Sequence, residues 1–314
     1  VWSLLIQSIV SALVSTIYIW LKSSWRPKMV FNFRETKPLF NKGFGFMGQG
    51  LVDSIFTYAG TMVIGKVFSP GVLGIYDRGS SLSDMPQSTF VLPITRPLFP
   101  VFSKLQDDRA ALKEFYIKIL RALNWALILV CGILLLSSNE IIYLLLGEKW
   151  MSSAPYFFLL SLVIPLCPNW AIITALWKGL GLVKKVTFVT FVEKLLFLLA
   201  IPALFIGLKV YAICIVGANL IANILKSVMN ASVIGISVFE QYQEWLIEIL
   251  VVGCVLVAWQ FCELEVVWLS FVLKTMSLLC VYTISSECLK LKGYIFFKAR
   301  LRKFAFNFLK KQIR

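Results

Sequence analysis

Residues 211–234 read YAICIVGANLIANILKSVMNASVI, and Lys226 is the one charged side chain among them. A helix rises 1.5 Å per residue, so this stretch reaches about 36 Å, and a hydrocarbon core of about 30 Å needs roughly 20 apolar residues. The stretch therefore predicts a membrane-crossing helix. Its polar residues are patterned. Asn219, Asn223, Lys226 and Asn230 recur at spacings of four, three and four, which places them on one helix face. Such a stripe reads either as the lining of a wet cavity or as a helix–helix seam stitched by asparagines. A lysine is hard to hide in a seam without a carboxylate, and that favours the cavity.

Eight further segments carry the same kind of apolar run: 1–21, 43–65, 75–102, 122–145, 154–177, 186–206, 245–262 and 266–286. The expected architecture is all-α, a multi-pass transmembrane helical bundle with nine membrane spans. Composition agrees: 59% of the 314 residues are hydrophobic and 15% charged, against about 45–50% and 25% in soluble domains. No nucleic-acid partner is expected, because a binding domain for DNA or RNA is not this apolar. With no histidine in the chain, Ser-His-Asp and Cys-His catalysis and histidine metal sites are excluded. Seven cysteines form no CxxC pair and lie in or beside apolar runs, where they read as small apolar side chains. Pro93, Pro97, Pro100, Pro165 and Pro168 fall inside spans and mark expected kinks.

The net charge of +15 is distributed as a map. Segments 22–42, 103–121, 178–185 and 287–314 hold 23 Lys and Arg, and segment 235–244 on the same side holds none. The alternate connections at 66–74, 146–153, 207–210 and 263–265 hold only Lys66, Lys149 and Lys209. Positive charge marks the cytoplasmic face, so the C-terminus is expected in the cytoplasm. The tail 287–314, basic and interleaved with Phe296, Phe297, Phe304, Phe306 and Phe308, suits an amphipathic helix on the phospholipid surface of the inner leaflet.

Other spans repeat the polar face. Gln49, Asp53 and Thr57 are four apart; Ser80, Asp84 and Gln87 share a face, as do Thr187, Thr190 and Lys194. Glu193, next to Lys194, points about 100° away and is expected at another interface. Lys274 also lies deep in its span. Together the stripes predict a hydrophilic cavity lined by Lys226, Asn223, Asn219, Asn230, Lys194, Arg96, Asp53, Asp84, Gln49 and Gln87. Its lysines and arginine favour an anionic ligand. No GxxxxGK[ST] loop is present, and no cofactor or metal is expected. The glycines of 43–48 open a membrane helix with no strand before them, and read as close helix packing.

From residue 66 the chain resembles a known family. Lys66–Tyr76 (KVFSPGVLGIY), the run Leu92–Asp108 (LPITRPLFPVFSKLQDD), Leu146–Trp150 (LGEKW) and Trp25-Arg26-Pro27 resemble the Wzx-like polysaccharide-transport flippases of the MATE-like (MOP) superfamily. The resemblance covers residues 1 to about 240. It implies that 1–21 is the last helix of a truncated N-terminal lobe, 22–42 a cytoplasmic inter-lobe loop, and 43–234 a six-helix C-terminal lobe. Segment 245–286 is then two additional helices and 287–314 a basic cytoplasmic tail. The chain would be a C-terminal portion that lacks the first five helices. The implied function is flipping of isoprenoid-pyrophosphate-linked oligosaccharide across the bacterial inner membrane for O-antigen, capsule or exopolysaccharide synthesis. The implied partners are the lipid-linked oligosaccharide and the polysaccharide polymerase machinery. The rival readings are a small-molecule or drug exporter of the same superfamily and a membrane-embedded polysaccharide polymerase. The deep charges lean basic against the first. The lack of a large extramembrane loop stands against the second, so no enzymatic role is expected.

Overall fold

The computed structural model describes residues 2–23, 54–56, 58–262 and 266–299, and no strand occurs among them. The chain divides into two compact units, 1–52 and 53–314. In the first, α1 (Trp2–Lys22) turns its apolar side chains outward: Leu13, Val14, Ile17, Tyr18 and Ile19 are all more than half exposed. Lipid is the solvent such a surface requires. Ser15 and Thr16 donate their hydroxyls to the carbonyls of Ser11 and Ala12, so the helix carries those donors into an apolar phase already satisfied.

The second unit is a bundle of α2 (58–67), α3 (Pro70–Pro86), α4 (Leu92–Thr95), α5 (Leu98–Lys104), α6 (Arg109–Leu136), α7 (Ser138–Leu146), α8 (Ala154–Ser161), α9 (Cys167–Gly179), α10 (Val183–Ala200), α11 (Leu208–Ile234), α12 (Val238–Trp259), α13 (Val267–Cys288) and α14 (292–299). The starts follow local chemistry. Ser69 caps α3 by accepting from the Val72 amide, with Pro70 in the first turn. Asp108 caps α6 by accepting from the Ala110 and Ala111 amides at 3.1 and 3.0 Å. An N-cap of this kind contributes about 1 kcal/mol. Gly235 ends α11 in the left-handed region at φ 65°, where a side chain would be strained. In the Leu146–Trp150 turn, Gly147 has φ 83° and the Arg78 guanidinium lies 5.6 Å from the Trp150 ring centre.

Among the described residues, seven helical stretches are long and apolar enough to cross a membrane: Leu5–Lys22, Arg109–Leu136, Glu148–Gly179, Val183–Phe205, Leu208–Ile234, Val238–Trp259 and Val267–Cys288. Of the two other expected spans, 43–65 lies partly outside the described residues. Segment 75–102 is helical but interrupted. A π-helical turn, Gln87–Val91, lets the Leu92 amide reach back to the Gln87 carbonyl, and Pro97 separates α4 from α5. Pro93 lies in the first turn of α4 and Pro100 in the first turn of α5. Proline lacks the amide that would continue the ladder.

Side-chain size sets the packing. Phe102, Tyr116, Ile172, Ile173, Trp177 and Val189 form one core between α5, α6, α9 and α10. Ile64, Tyr76, Leu160 and Tyr211 form a second between α2, α3, α8 and α11. Trp125, Ile128, Val252, Val255, Leu278 and Tyr282 join α12 and α13 to α6. Gly79 and Gly132 are among the glycines that make close approach possible. A Cβ on Gly79 would lie 2.9 Å from the Phe157 amide nitrogen, and one on Gly132 would lie 2.9 Å from Val252. The outside is apolar as well: Phe188, Phe191, Leu199, Ile213, Ile221 and Val228 are all more than half exposed.

A buried polar seam as candidate functional site

The site begins with a break in the expected span 154–177. Pro165 has no amide to give the Ser161 carbonyl, and Pro168 lies in the first turn of α9 after a 3-10 turn at Ile164–Leu166. Backbone carbonyls freed inside an apolar bundle must find donors. Cys131 on α6 donates its thiol to the Ser161 carbonyl at 3.3 Å, Trp245 on α12 donates to Pro165 at 3.0 Å, and Asn223 on α11 donates to Leu166 at 2.8 Å. The helix break thus draws polar side chains from three neighbours toward one place.

Around it runs a hydrogen-bonded seam. Asn169 on α9 is its hub: the amide nitrogen lies 2.8 Å from Asn223 Oδ1, 2.7 Å from Ser227 Oγ and 2.9 Å from the Tyr242 hydroxyl. Two amide protons serve these three oxygens. Tyr242 donates to Asn223 Oδ1 at 2.5 Å. Tyr116 on α6 donates to Gln241 Oε1 at 2.9 Å, and Gln241 donates to the Ser227 carbonyl at 3.2 Å. The seam therefore joins α6, α9, α11 and α12.

Lys226 sits beside this seam, 2% exposed. Its Nζ lies 3.5 Å from Glu193 Oε2 on α10 and 4.2 Å from the centre of the Trp170 ring on α9. The Trp170 indole donates to the same Glu193 oxygen at 3.0 Å. One tryptophan thus covers the cation with its π face and holds the anion with its edge. The ion pair is loose. Its 3.5 Å exceeds the 2.7–2.9 Å of a charge-assisted hydrogen bond, and among the described residues Lys226 Nζ has no hydrogen-bond acceptor. The structure corrects the expectation that Glu193 serves another interface: it is the partner of Lys226. The helix-wheel offset from Lys194 was right, but Lys226 lies on the neighbouring helix toward which that offset points.

The remaining expected residues divide. Asn230 accepts from the Trp177 indole at 3.1 Å and is fully buried. Asn219 is half-buried and donates to the Ile215 carbonyl of its own helix. The four-residue stripe is therefore brought together as the packed face of α11. Lys194 is half-buried, with Nζ 5.7 Å from the Phe197 ring centre. Gln87 is half-buried and accepts from the Cys167 thiol at 3.7 Å. Asp84 and Arg96 are exposed. Gln49, Asp53 and Thr57 lie outside the described residues. Lys274 pairs with Glu140 on α7 at 2.5 Å, and Ser270 donates to the same carboxylate.

Sequence reading missed Glu193 as partner, Trp170, Asn169 and the polar start of α12. Asn169 carried a signal, being the one amide in the apolar run 154–177. It also missed Glu248 on α12, fully buried with both carboxyl oxygens lacking a hydrogen-bond partner among the described residues.

Fold and seam together define a multi-pass helical membrane protein with a hydrogen-bonded seam and an ion pair packed between its helices. Its bundle has the fold of the lipid II flippase MurJ in an inward closed conformation, with TM-score 0.66 at 15% identity over 86% of this chain and 59% of that one. The family described as "Polysaccharide biosynthesis protein" matches residues 1–155. The lipopolysaccharide biosynthesis protein WzxC of Escherichia coli (strain K12) is 28% identical over 171 residues, 52% of this chain and 34% of that protein. The teichuronic acid biosynthesis protein TuaB of Bacillus subtilis (strain 168) is 26% identical over 175 residues, 54% and 36%. The succinoglycan biosynthesis transport protein ExoT of Rhizobium meliloti (strain 1021) is 25% identical over 162 residues, 52% and 33%. The chain covers about a third of the length of these curated relatives. The resemblance to Wzx-like polysaccharide-transport proteins is borne out: the chain is their relative.

Proposed function

We propose that the chain works in a membrane exporter that moves isoprenoid-pyrophosphate-linked oligosaccharide units across the bacterial cytoplasmic membrane for polysaccharide biosynthesis, by transport rather than catalysis. The observation that carries this reading is Lys226: a buried cation, covered by Trp170 and only loosely held by Glu193. It supports a site where an anionic headgroup exchanges for the carboxylate when the helices part. The relatives' names and the fold shared with a lipid II flippase support the same substrate class.

The proposed organisation has nine spans, with 43–234 as one lobe, 245–286 as an added helix pair and 1–21 as the last helix of another lobe. Segment 22–42 joins the lobes, and the tail 287–314 lies in the cytoplasm. Two lobes rocking about a central cavity would give alternating access. In the opened state Lys226, Asn223, Asn219, Asn230 and Lys194 would face the cargo from α10 and α11. Arg96, Asp84 and Gln87, with Gln49 and Asp53, would contribute from the preceding spans. The polysaccharide polymerase machinery is the proposed downstream partner.

The test is complementation. Cells lacking their own exporter accumulate lipid-linked precursor and lose surface polymer. The full-length protein is expected to restore polymer and clear the precursor. Precursor that stays high while the protein is present in the membrane would overturn the reading.

A further inference from the structure

A groove of about 790 Å³ lies between the first half of α6, the start of α12 and α14. None of its lining residues belongs to the Lys226 seam. Lys113, Lys118 and Arg121 line it from α6, and Lys292 from α14, with Glu114 and Glu240 as the opposing charges. Positions 113, 117, 118 and 121 share one helix face and climb about 12 Å along it. The climb ends at Ala122, where α6 begins a run without charge that lasts to its end at Leu136. Each interfacial layer of a bilayer is roughly 5–8 Å thick, so the groove sits at the level where headgroups give way to acyl chains.

Two of the four cations are already engaged. Arg121 Nε lies 3.1 Å from Glu244 Oε1, and Lys113 Nζ lies 3.6 Å from Glu240 Oε2. Lys118 and Lys292 are exposed and have no ion pair among the described residues. The Lys118 ammonium lies 5.2 Å from the Phe296 ring centre. Glu114, one turn before Lys118, is exposed and competes for it. The walls are apolar, from Ile117, Ile295 and Phe296. The far wall is fixed rather than loose. The Gly293 amide donates to Glu244 Oε2 at 3.3 Å, and Tyr294 and Phe297 pack against the Trp125 ring at 5.4 and 5.1 Å.

We propose that this groove binds the phosphate headgroup of an anionic bilayer phospholipid. Lys118 and Lys292 grip the phosphate, and Ile117, Ile295 and Phe296 receive the first methylenes of the acyl chains. Cations above an apolar wall at the membrane interface match a lipid better than a free anion, which has nothing to place against the wall. The inference holds for either orientation of the chain and does not rest on the transport reading.

The test reconstitutes the full chain in nanodiscs of mixed phosphatidylcholine and phosphatidylglycerol and weighs the retained lipid by native mass spectrometry. The wild-type chain is expected to enrich phosphatidylglycerol. Lys118→Gln and Lys292→Gln are each expected to lower that enrichment roughly fivefold. Glu114→Gln, which removes the competing carboxylate, is expected to raise it, and Lys149→Gln, outside the groove, to leave it alone. Inorganic phosphate is expected not to displace the lipid. Wild-type enrichment in the double lysine variant, no rise with Glu114→Gln, or displacement by inorganic phosphate would overturn the proposal, the last by showing a simple phosphate site.

Discussion

Truncating Glu193 to alanine leaves the Lys226 ammonium on a residue 2% exposed, facing an indole ring without its carboxylate. Removing one partner of a buried pair costs about 3–5 kcal/mol, whereas replacing both by apolar groups is often neutral. Glu193→Ala is therefore expected to lower the unfolding midpoint of the detergent-solubilised protein, and Glu193→Ala with Lys226→Met to recover most of the loss. Equal losses in single and double variants would show that the two do not act as a pair. Glu248 gives the opposite expectation. Its oxygens are buried and unpartnered among the described residues, so Glu248→Leu is expected to hold or raise the same midpoint, and a clear fall would reveal a partner outside them. The stripe on α11 was legible at this scale because spacing alone fixes a helix face. Its environment was not. The carboxylate that lets Lys226 be buried comes from α10, and no periodicity within one helix reports which neighbour it meets.

Helices were legible where an apolar run was long and uninterrupted, as in α11 and α13, but the expected span 122–145 starts inside α6 and crosses the break at Ser137 into α7, and α12 starts at Val238 rather than at 245. Motif residues also turned out to have local jobs: Ser69 and Asp108 are caps, and Gly147 ends α7 at positive φ. The breaks were legible as prolines but not in their consequences. Pro165 and Pro168 mark the kink, yet the donors that answer it come from α6, α11 and α12. Close helix contact is the other feature that sequence left open. Gly79 on α3 sits where an added Cβ would meet the backbone of α8, at 2.9 Å from the Phe157 nitrogen and 3.0 Å from the Ser153 oxygen. Backbone cannot swing aside as a side chain would, so Gly79→Ala is expected to destabilise the α3–α8 contact by about 1–3 kcal/mol. Thermal unfolding measures it. A neutral result would mean that the two helices are free to separate.

Across the whole molecule, charge and apolarity play separate parts. Apolar side chains cover the outside of α10 and α11, amides and ion pairs lie between helices, and most cations lie in the connections and near the helix ends. The charge map predicts that a phosphatase fused after Arg314 is inactive in an intact bacterium and that a cytoplasmic fluorescent reporter there is bright. The reverse pattern would invert the proposed topology. The membrane-length helices were legible because bilayer thickness acts on sequence directly. The polar seam inside the bundle was not, since it depends on which polar faces meet across helices far apart in the chain.

The central claim is that the Lys226 cation serves the transported headgroup as well as the packing of α9, α10 and α11. It is tested most directly by expressing full-length wild-type and Lys226→Ala proteins at matched membrane levels in cells without their own exporter, and measuring surface polymer against accumulated lipid-linked precursor. The expected result is restored polymer with the wild type, and for Lys226→Ala a loss of about tenfold or more, as removal of one charge-assisted contact implies. Export by Lys226→Ala equal to wild type would contradict the account.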